Sequence, residues 1–200
     1  MSDLNLLSLQ QIQQCLTQNS GVTHDLPGYY AEIECQQAAV LIPFVKIKQQ
    51  WHLLFIRRAL HQNDQHSGQV AFAGGKFETF DNNLHKTALR EAQEEIGVSP
   101  NDVTILGTLN HHHSISRFQI TPVVAHIPWP YDLMPDNQEV ARIFTIPLSW
   151  LANPDHYKIK QHQHARKTAF PVVYFDEFDG ELLWGATARM TLSLISLLSC

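Results

Sequence analysis

The chain has 200 residues, 44% of them hydrophobic and 16% charged, a balance that suits one globular domain with a sizeable core and excludes wholesale disorder. Its formal charge of −5 argues against nucleic acid as a partner, because phosphate neutralisation needs clustered Lys and Arg. An anionic small molecule would need a local cationic patch, or metal ions, to be held here.

Cys15, Cys35 and Cys200 are odd in number and form no C-x-x-C pair, so neither a disulfide framework nor a zinc site is expected and a reducing, cytoplasmic setting fits. No basic region followed by an apolar run opens the chain, and "TLSLISLLSC" is too short to span a bilayer. Neither a secretory leader nor a membrane association is expected.

In chain order, Leu6, Leu9, Ile12 and Leu16 lie near helical spacing and predict an amphipathic helix over residues 6–18. "AAVLIPFV" (38–45) and "WHLLFIRR" (51–58) read as strands joined by a turn, and "QVAFAGG" (69–75) as a short strand stopping at paired glycines. A helix follows, capped by Asp81, Asn82 or Asn83 and ended by Gly97 in the left-handed conformation. "VTILGTL" (103–109) and "FQITPVVAHI" (118–127) are rich in β-branched residues and read as strands. Prolines 128, 130 and 135 impose a loop. "EVARIFTIPL" (139–148) reads as a strand and "SWLANP" as a short helix or turn. "FPVVYF" (170–175) and "GELLW" (180–184) suggest a hairpin around "DEFDG", and residues 186–199 a final helix. Strands interleaved with a few helices imply an α/β fold with a mixed sheet. Residues 1–34 are expected to form a helix and lead-in packed on a domain spanning 35–200.

The helix before Gly97 carries Glu91, Glu94 and Glu95 at i, i+3 and i+4. Like charges at that spacing destabilise an isolated helix by roughly 0.2–0.5 kcal/mol per pair. They also occupy the last turn, where the helix dipole favours cations. A solvated helix face is the plain explanation. The context favours another: Gly74 and Gly75 end the preceding strand and permit close backbone approach, and Arg90 can hold the helix to that loop. Carboxylates joined by a glycine carbonyl are hard oxygen ligands suited to Mg²⁺ or Mn²⁺, and a divalent cation would turn the repulsion into affinity.

The stretch "GG…REAQEEIGV" resembles the Nudix box, G-x5-E-x7-R-E-U-x-E-E-x-G-U with U aliphatic. Arg90, Glu91, Glu94, Glu95, Gly97 and Val98 match its second half. In the first half Asp81 replaces the Glu, and eight residues rather than seven separate it from Arg90. That departure resembles the coenzyme A pyrophosphatase subgroup, in which G-G-x-x-D-x-x-D leads to T-A-L-R-E-A-x-E-E. Glu78 and Asp81 take its two acidic places, and Thr87 to Ala92 follow it. Of the subgroup's upstream motif, Leu53, Leu54, Arg57, Gly68, Phe72, Gly74 and Gly75 match. Phe55 replaces a Thr, Ala73 a Pro, and the segment between Arg57 and Gly68 is longer. "ITPVVAHIP", "NQEVARIFTIPLSWL" and "LLWGATARM" also resemble the subgroup.

The resemblance implies a Nudix-type α/β/α sandwich and hydrolysis of a nucleoside diphosphate linked to another group, with metals neutralising the pyrophosphate and activating a water. It implies Gly75, Glu91, Glu94 and Glu95 as metal ligands, Glu91 or Glu139 as base, and Arg90 as the residue orienting the carboxylates. The subgroup implies coenzyme A or its thioesters as substrate; ADP-ribose, a dinucleotide or another nucleoside diphosphate derivative is the alternative. A Nudix-like module that binds nucleotide without catalysis is a third reading, but it should lack one of the box glutamates, and all three are present. Both monomer and homodimer are allowed.

Further candidates lie outside the box. Arg57 and Arg58 end a strand and must point to opposite faces, so one can meet phosphate while the other is solvated. "NHHHSISRF" (110–118) cannot bring three adjacent histidines to one metal from a strand and reads as a loop, with Arg117 in reach of a phosphate. "QHQHARK" (161–167) reads as an exposed loop, and Trp129 and Tyr131 either stack on a base or anchor the proline loop.

Overall fold

The computed structural model describes residues 4–18, 35–61, 66–114, 116–163 and 169–199. Helix α1 (Leu9–Gln18) opens it, followed by β1 (Gln36–Ile47), β2 (Gln50–Arg58), β3 (Val70–Ala71), β4 (Gly74–Lys76) and helix α2 (Leu84–Ile96). Then come β5 (Thr104–Thr108), β6 (His112–His113), β7 (Phe118–His126), β8 (Val140–Pro147) and the short α3 (Leu148–Leu151). A ribbon of β9 (Tyr157–Gln163) and β10 (Ala169–Phe175) leads to α4 (Gly185–Leu198). Strands β1 to β8 form one sheet, with β1 and β7 parallel and the other pairs antiparallel. The sheet is therefore mixed, as expected.

Strand alternation sends side chains to two separate cores. Ile42, Phe44, Leu53, Phe55 and Val124 face α1 and α4, meeting Ile12, Leu16, Leu194 and Leu198. Leu41, Val45, Leu54, Ile56, Val123 and Ala125 face α2, meeting Ala88, Ala92 and Ile96. Alanines at i and i+4 let that helix lie close to the sheet. The result is an α/β/α sandwich. Ahead of α1, Asn5 and Leu7 are tied to β2: the Trp51 indole N–H donates to the Leu7 carbonyl at 2.9 Å, and its backbone N–H donates to Asn5 Oδ1 at 3.1 Å.

One departure from a plain hairpin positions the site. β1 and β2 pair only near their turn, from Phe44↔Leu53 to Ile47↔Gln50, and then diverge. The segment 69–76 fills the fork. Its first part bonds to β2 (Ile56↔Ala71, Arg57↔Val70) and its second to β1 (Val40↔Gly74, Ala38↔Lys76). A Cβ at Gly74 would lie 2.4 Å from the Ala39 carbonyl oxygen, so only glycine fits against β1 there.

Two expectations fail in the C-terminal third. β10 pairs with β9, not with 180–184, which contributes only single bridges (Tyr174↔Trp184, Phe178↔Glu181). Residues 161–163, expected in a loop, end β9; residues 164–168 lie outside the described part. "YKIKQHQ" is strongly polar because most of β9 faces solvent, and even Ile159 is 58% exposed. His112 and His113, also expected in a loop, pair with Ile120 and Gln119 of β7. Cys15 and Cys35 are half-buried, and Cys200 is outside the described residues. Among the described residues no helix is long and apolar enough to cross a membrane.

Candidate functional site

Helix α2 starts and stops where its sequence dictates. The Asn83 side chain accepts from the Lys86 backbone N–H at 3.0 Å, and Gly97 takes the left-handed conformation at φ 71°, which costs glycine nothing. The carbonyls left over at its C-terminus are bound by the proline loop: Met134 N–H donates to the Ile96 carbonyl and Asp136 N–H to that of Glu95, both at 3.0 Å. This loop therefore caps the helix end that carries the carboxylates. Tyr131 fixes the loop further, donating to Asp102 at 2.7 Å and accepting from the Ser99 N–H. Trp129 packs with it against the α2-side core. Anchoring, rather than a free aromatic face, is what the pair does here.

Arg90 is the hub. Its guanidinium donates to both Asp81 oxygens at 2.8 and 3.1 Å and to the Lys76 carbonyl at 3.0 Å, and it lies 2.9 Å from both Glu91 and Glu94. Helix, glycine strand and the turn before the helix are thus held by one side chain whose planar fork suits several acceptors at once. Asp81 is buried and accepts also from the Glu78 N–H and the Thr87 hydroxyl, both at 2.9 Å. The Arg90 hydrogen bonds, with these two, hold its carboxyl down to about 2 despite burial. The contacts with Asp81 and Glu91 raise the Arg90 pKa in turn.

The three glutamates differ sharply. The Glu94 side chain is 57% exposed, Glu91 16% and Glu95 2%. Glu95 accepts from the Gly74 N–H at 3.1 Å and faces Arg58 at 3.8 Å. Burial nonetheless pushes its pKa up to about 8, outweighing both contacts, with the charges of Glu139 and Glu91 adding to the rise. Burial raises Glu91 as well, against the pull of Arg90. A Cβ at Gly75 would lie 2.5 Å from the Glu91 carboxylate, so the second glycine makes room for the acid, as the first makes room for β1.

Glu139 joins this group. It is exposed, its N–H donates to the Asp136 carbonyl, and its own carbonyl accepts from the Ala59 N–H at 2.7 Å at the end of β2. That bond sets it beside Arg58 and within electrostatic reach of Glu91 and Glu95. Among the described residues no three His, Cys, Asp or Glu side chains converge as a finished cage: Glu91 and Glu94 turn to Arg90, and Glu95 to Gly74. The donor set still fits a hard divalent ion. A buried carboxylate that resists ionisation, two further carboxylates nearby and a glycine strand in contact are what such an ion stabilises.

Arg57 and Arg58 do point to opposite faces. Arg58 lies on the α2 side with Glu95, whereas Arg57 lies 3.2 Å from Glu181, a buried carboxylate that also accepts from Arg142 at 2.9 Å. Arg142 in turn pairs with Asp179. Beside Gly74 and Gly75 a cavity of about 520 Å³ opens under the β9–β10 ribbon and the start of α4; Arg58 lines it, and neither Arg57 nor Arg117 is part of its wall. Arg117 is exposed, at φ 64°. Asp81 as the Arg90 acceptor is a function sequence reasoning missed; the burial of a carboxylate nine positions before an Arg was not visible in the pattern.

Residues 36–169 match the NUDIX domain family. The chain is 38% identical over 156 residues to a protein of Enterobacter sp. (strain 638) named as an uncharacterized Nudix hydrolase, NudL, covering 76% of this chain and 78% of that one. A namesake from Pectobacterium atrosepticum is 38% identical over 160 residues, covering 78% and 79%. Among solved structures, a NUDIX hydrolase from Alicyclobacillus acidocaldarius superposes with a TM-score of 0.54 at 16% identity, over 85% of this chain and 94% of that one. At that identity the likeness concerns the fold.

Proposed function

The chain belongs to the Nudix family of hydrolases, and from that premise we propose that it cleaves the pyrophosphate of coenzyme A or its thioesters, releasing 3′,5′-ADP and 4′-phosphopantetheine or its acylated form. Members of the family act on small-molecule nucleotides and generally use divalent ions such as Mg²⁺ or Mn²⁺. One observation supports the narrower substrate above all. Three stretches that resemble the coenzyme A subgroup, far apart in sequence, meet on one cavity: Phe72, Gly74 and Gly75 of the upstream motif, Ile120 of "ITPVV", and Trp184 and Arg189 of "LLWGATARM".

In this reading Glu91, Glu94 and Glu95, with the Gly75 carbonyl, would hold a divalent metal, which would neutralise the pyrophosphate and activate water. Arg90 holds the Glu91 and Glu94 carboxylates while Asp81 fixes Arg90. Glu139 stands as the base that takes a proton from the attacking water, because it is exposed and lies within electrostatic reach of both Glu91 and the buried Glu95. Glu91 is the other candidate for that proton. Arg58, on the cavity wall, receives the pyrophosphate. Arg57 and Arg117 remain substrate contacts only if the substrate extends past that wall.

A substrate panel with Mg²⁺ or Mn²⁺, products identified by mass, tests the reading. Coenzyme A or an acyl thioester should give the highest kcat/KM, and chelator should abolish turnover. A higher kcat/KM for ADP-ribose or a dinucleotide overturns the substrate and leaves the family. Full turnover in excess chelator overturns the metal assignment.

A further inference from the structure

The cavity beside the glycine pair has a charge pattern at odds with the rest of the molecule. The chain carries 19 acidic residues against 14 basic ones, yet among the described residues no Asp or Glu lines this cavity. The cations among those described residues are Arg58, Lys76 and Arg189. Four histidines, His66, His112, His113 and His162, share the wall, drawn from three segments of the chain. Between them the surface is apolar and aromatic, with Phe72, Phe118 and Trp184. Lys76 sits over the Phe118 ring at 5.7 Å, and Arg189 projects from the first turns of α4, half-buried.

A chamber whose described lining carries cations and no carboxylate concentrates an anion, since the low-dielectric walls focus the field of those cations. The Arg58 guanidinium is next to Glu95 and so belongs to the box end, where the scissile pyrophosphate must lie. Lys76 and Arg189 are additional to it. A pyrophosphate alone does not call for two more cations and a lining of aromatic rings. A phosphorylated nucleoside does: the rings accept the base, and the cations accept a second phosphate.

We propose that this chamber binds the nucleoside half of the substrate and that Arg189, with Lys76, selects a phosphomonoester carried on that half away from the scissile bond. The proposal rests on the coenzyme A reading for the identity of that phosphate, the 3′-phosphate of its ribose.

The probe is adenosine 3′,5′-bisphosphate, compared with AMP by calorimetry on the intact chain with Mg²⁺ at fixed ionic strength. The wild type should bind the bisphosphate about tenfold to a hundredfold more tightly, the scale of one or two charge-assisted hydrogen bonds. Arg189→Gln should remove most of that ratio by weakening the bisphosphate far more than AMP, and Arg189→Lys should restore part of it. Lys76→Gln, at an exposed position, gives a second reading should the helix substitution impair folding. Equal affinities in the wild type, or variants that weaken both ligands alike, overturn the proposal. If the bisphosphate is selected but coenzyme A is not cleaved, the chamber assignment stands and the substrate reading falls. If coenzyme A is cleaved without selection, the chamber assignment falls alone.

Discussion

Glu95 gives the sharpest test, because its burial and its charge oppose one another. Its carboxyl is 2% exposed and its pKa lies at about 8 rather than 4.5. In the metal-free protein the folded state holds a proton that the unfolded chain releases above 4.5. The stability this proton contributes is fully present below 4.5, declines as pH rises toward 8, and is level above it. At about 1.36 kcal/mol per pH unit the whole decline approaches roughly 5 kcal/mol, a ceiling set by local opening of the site to water. Glu95→Gln removes the titration. In chelator, urea denaturation of the parent from pH 5 to 9 should therefore show a falling curve, and the variant a flatter one that overtakes it above neutrality. A divalent ion that binds the ionised carboxylate must expel the proton first, so binding near pH 7 should release close to one proton, read as a dependence of calorimetric heat on buffer ionisation enthalpy. Parallel stability curves for parent and variant would refute the claim that burial of this acid, awaiting a cation, is what the site stores.

Three further outcomes test the surroundings. Gly75→Ala places a methyl 2.5 Å from the Glu91 carboxylate and should cut kcat by about 10²-fold, the scale of an ångström-sized misplacement, with the circular dichroism spectrum retained. Arg90→Ala strands the buried Asp81 carboxylate and should cost about 3–5 kcal/mol in urea titrations near neutrality. The Asp81 carboxyl is held at about 2, so the stability it contributes is present above 3.8 and lost as pH falls toward 2; the difference between Arg90→Ala and parent should shrink in that window. Glu139→Gln should lower kcat with KM nearly unchanged, as loss of a transition-state interaction does, and wild-type kinetics would move the base to Glu91.

Much of the architecture was legible because its signals were strong. Strands 38–45, 51–58 and 118–127 carry apolar residues on both faces, which is what a sheet between two helical layers requires, and Asn83 and Gly97 bracket α2 by local chemistry alone. β9 was not legible, since a ribbon strand facing solvent has no apolar periodicity to read. Within the site, alternation dictated that Arg57 and Arg58 diverge, but which one met the acids depended on the position of α2, a tertiary fact. The same holds for Glu181, whose burial between Arg57 and Arg142 arises from the packing of the segment before α4. The unequal exposure of Glu91, Glu94 and Glu95 likewise follows from helix placement, not from their spacing.

The forked hairpin bears on how this protein can change over evolution. Both ends of the stretch between β2 and the glycine pair are moored: Arg58 N–H to the Gln69 carbonyl, Ala59 N–H to the Glu139 carbonyl, and Val70 opposite Arg57. Chain added between the moorings closes a loop whose entropic cost grows only by about 0.6 kcal/mol per doubling of length. Insertions between Arg58 and Gln69 should therefore be tolerated more readily than insertions between Gln69 and Gly75, where pairing with β2 and then β1 fixes the register of the glycine strand.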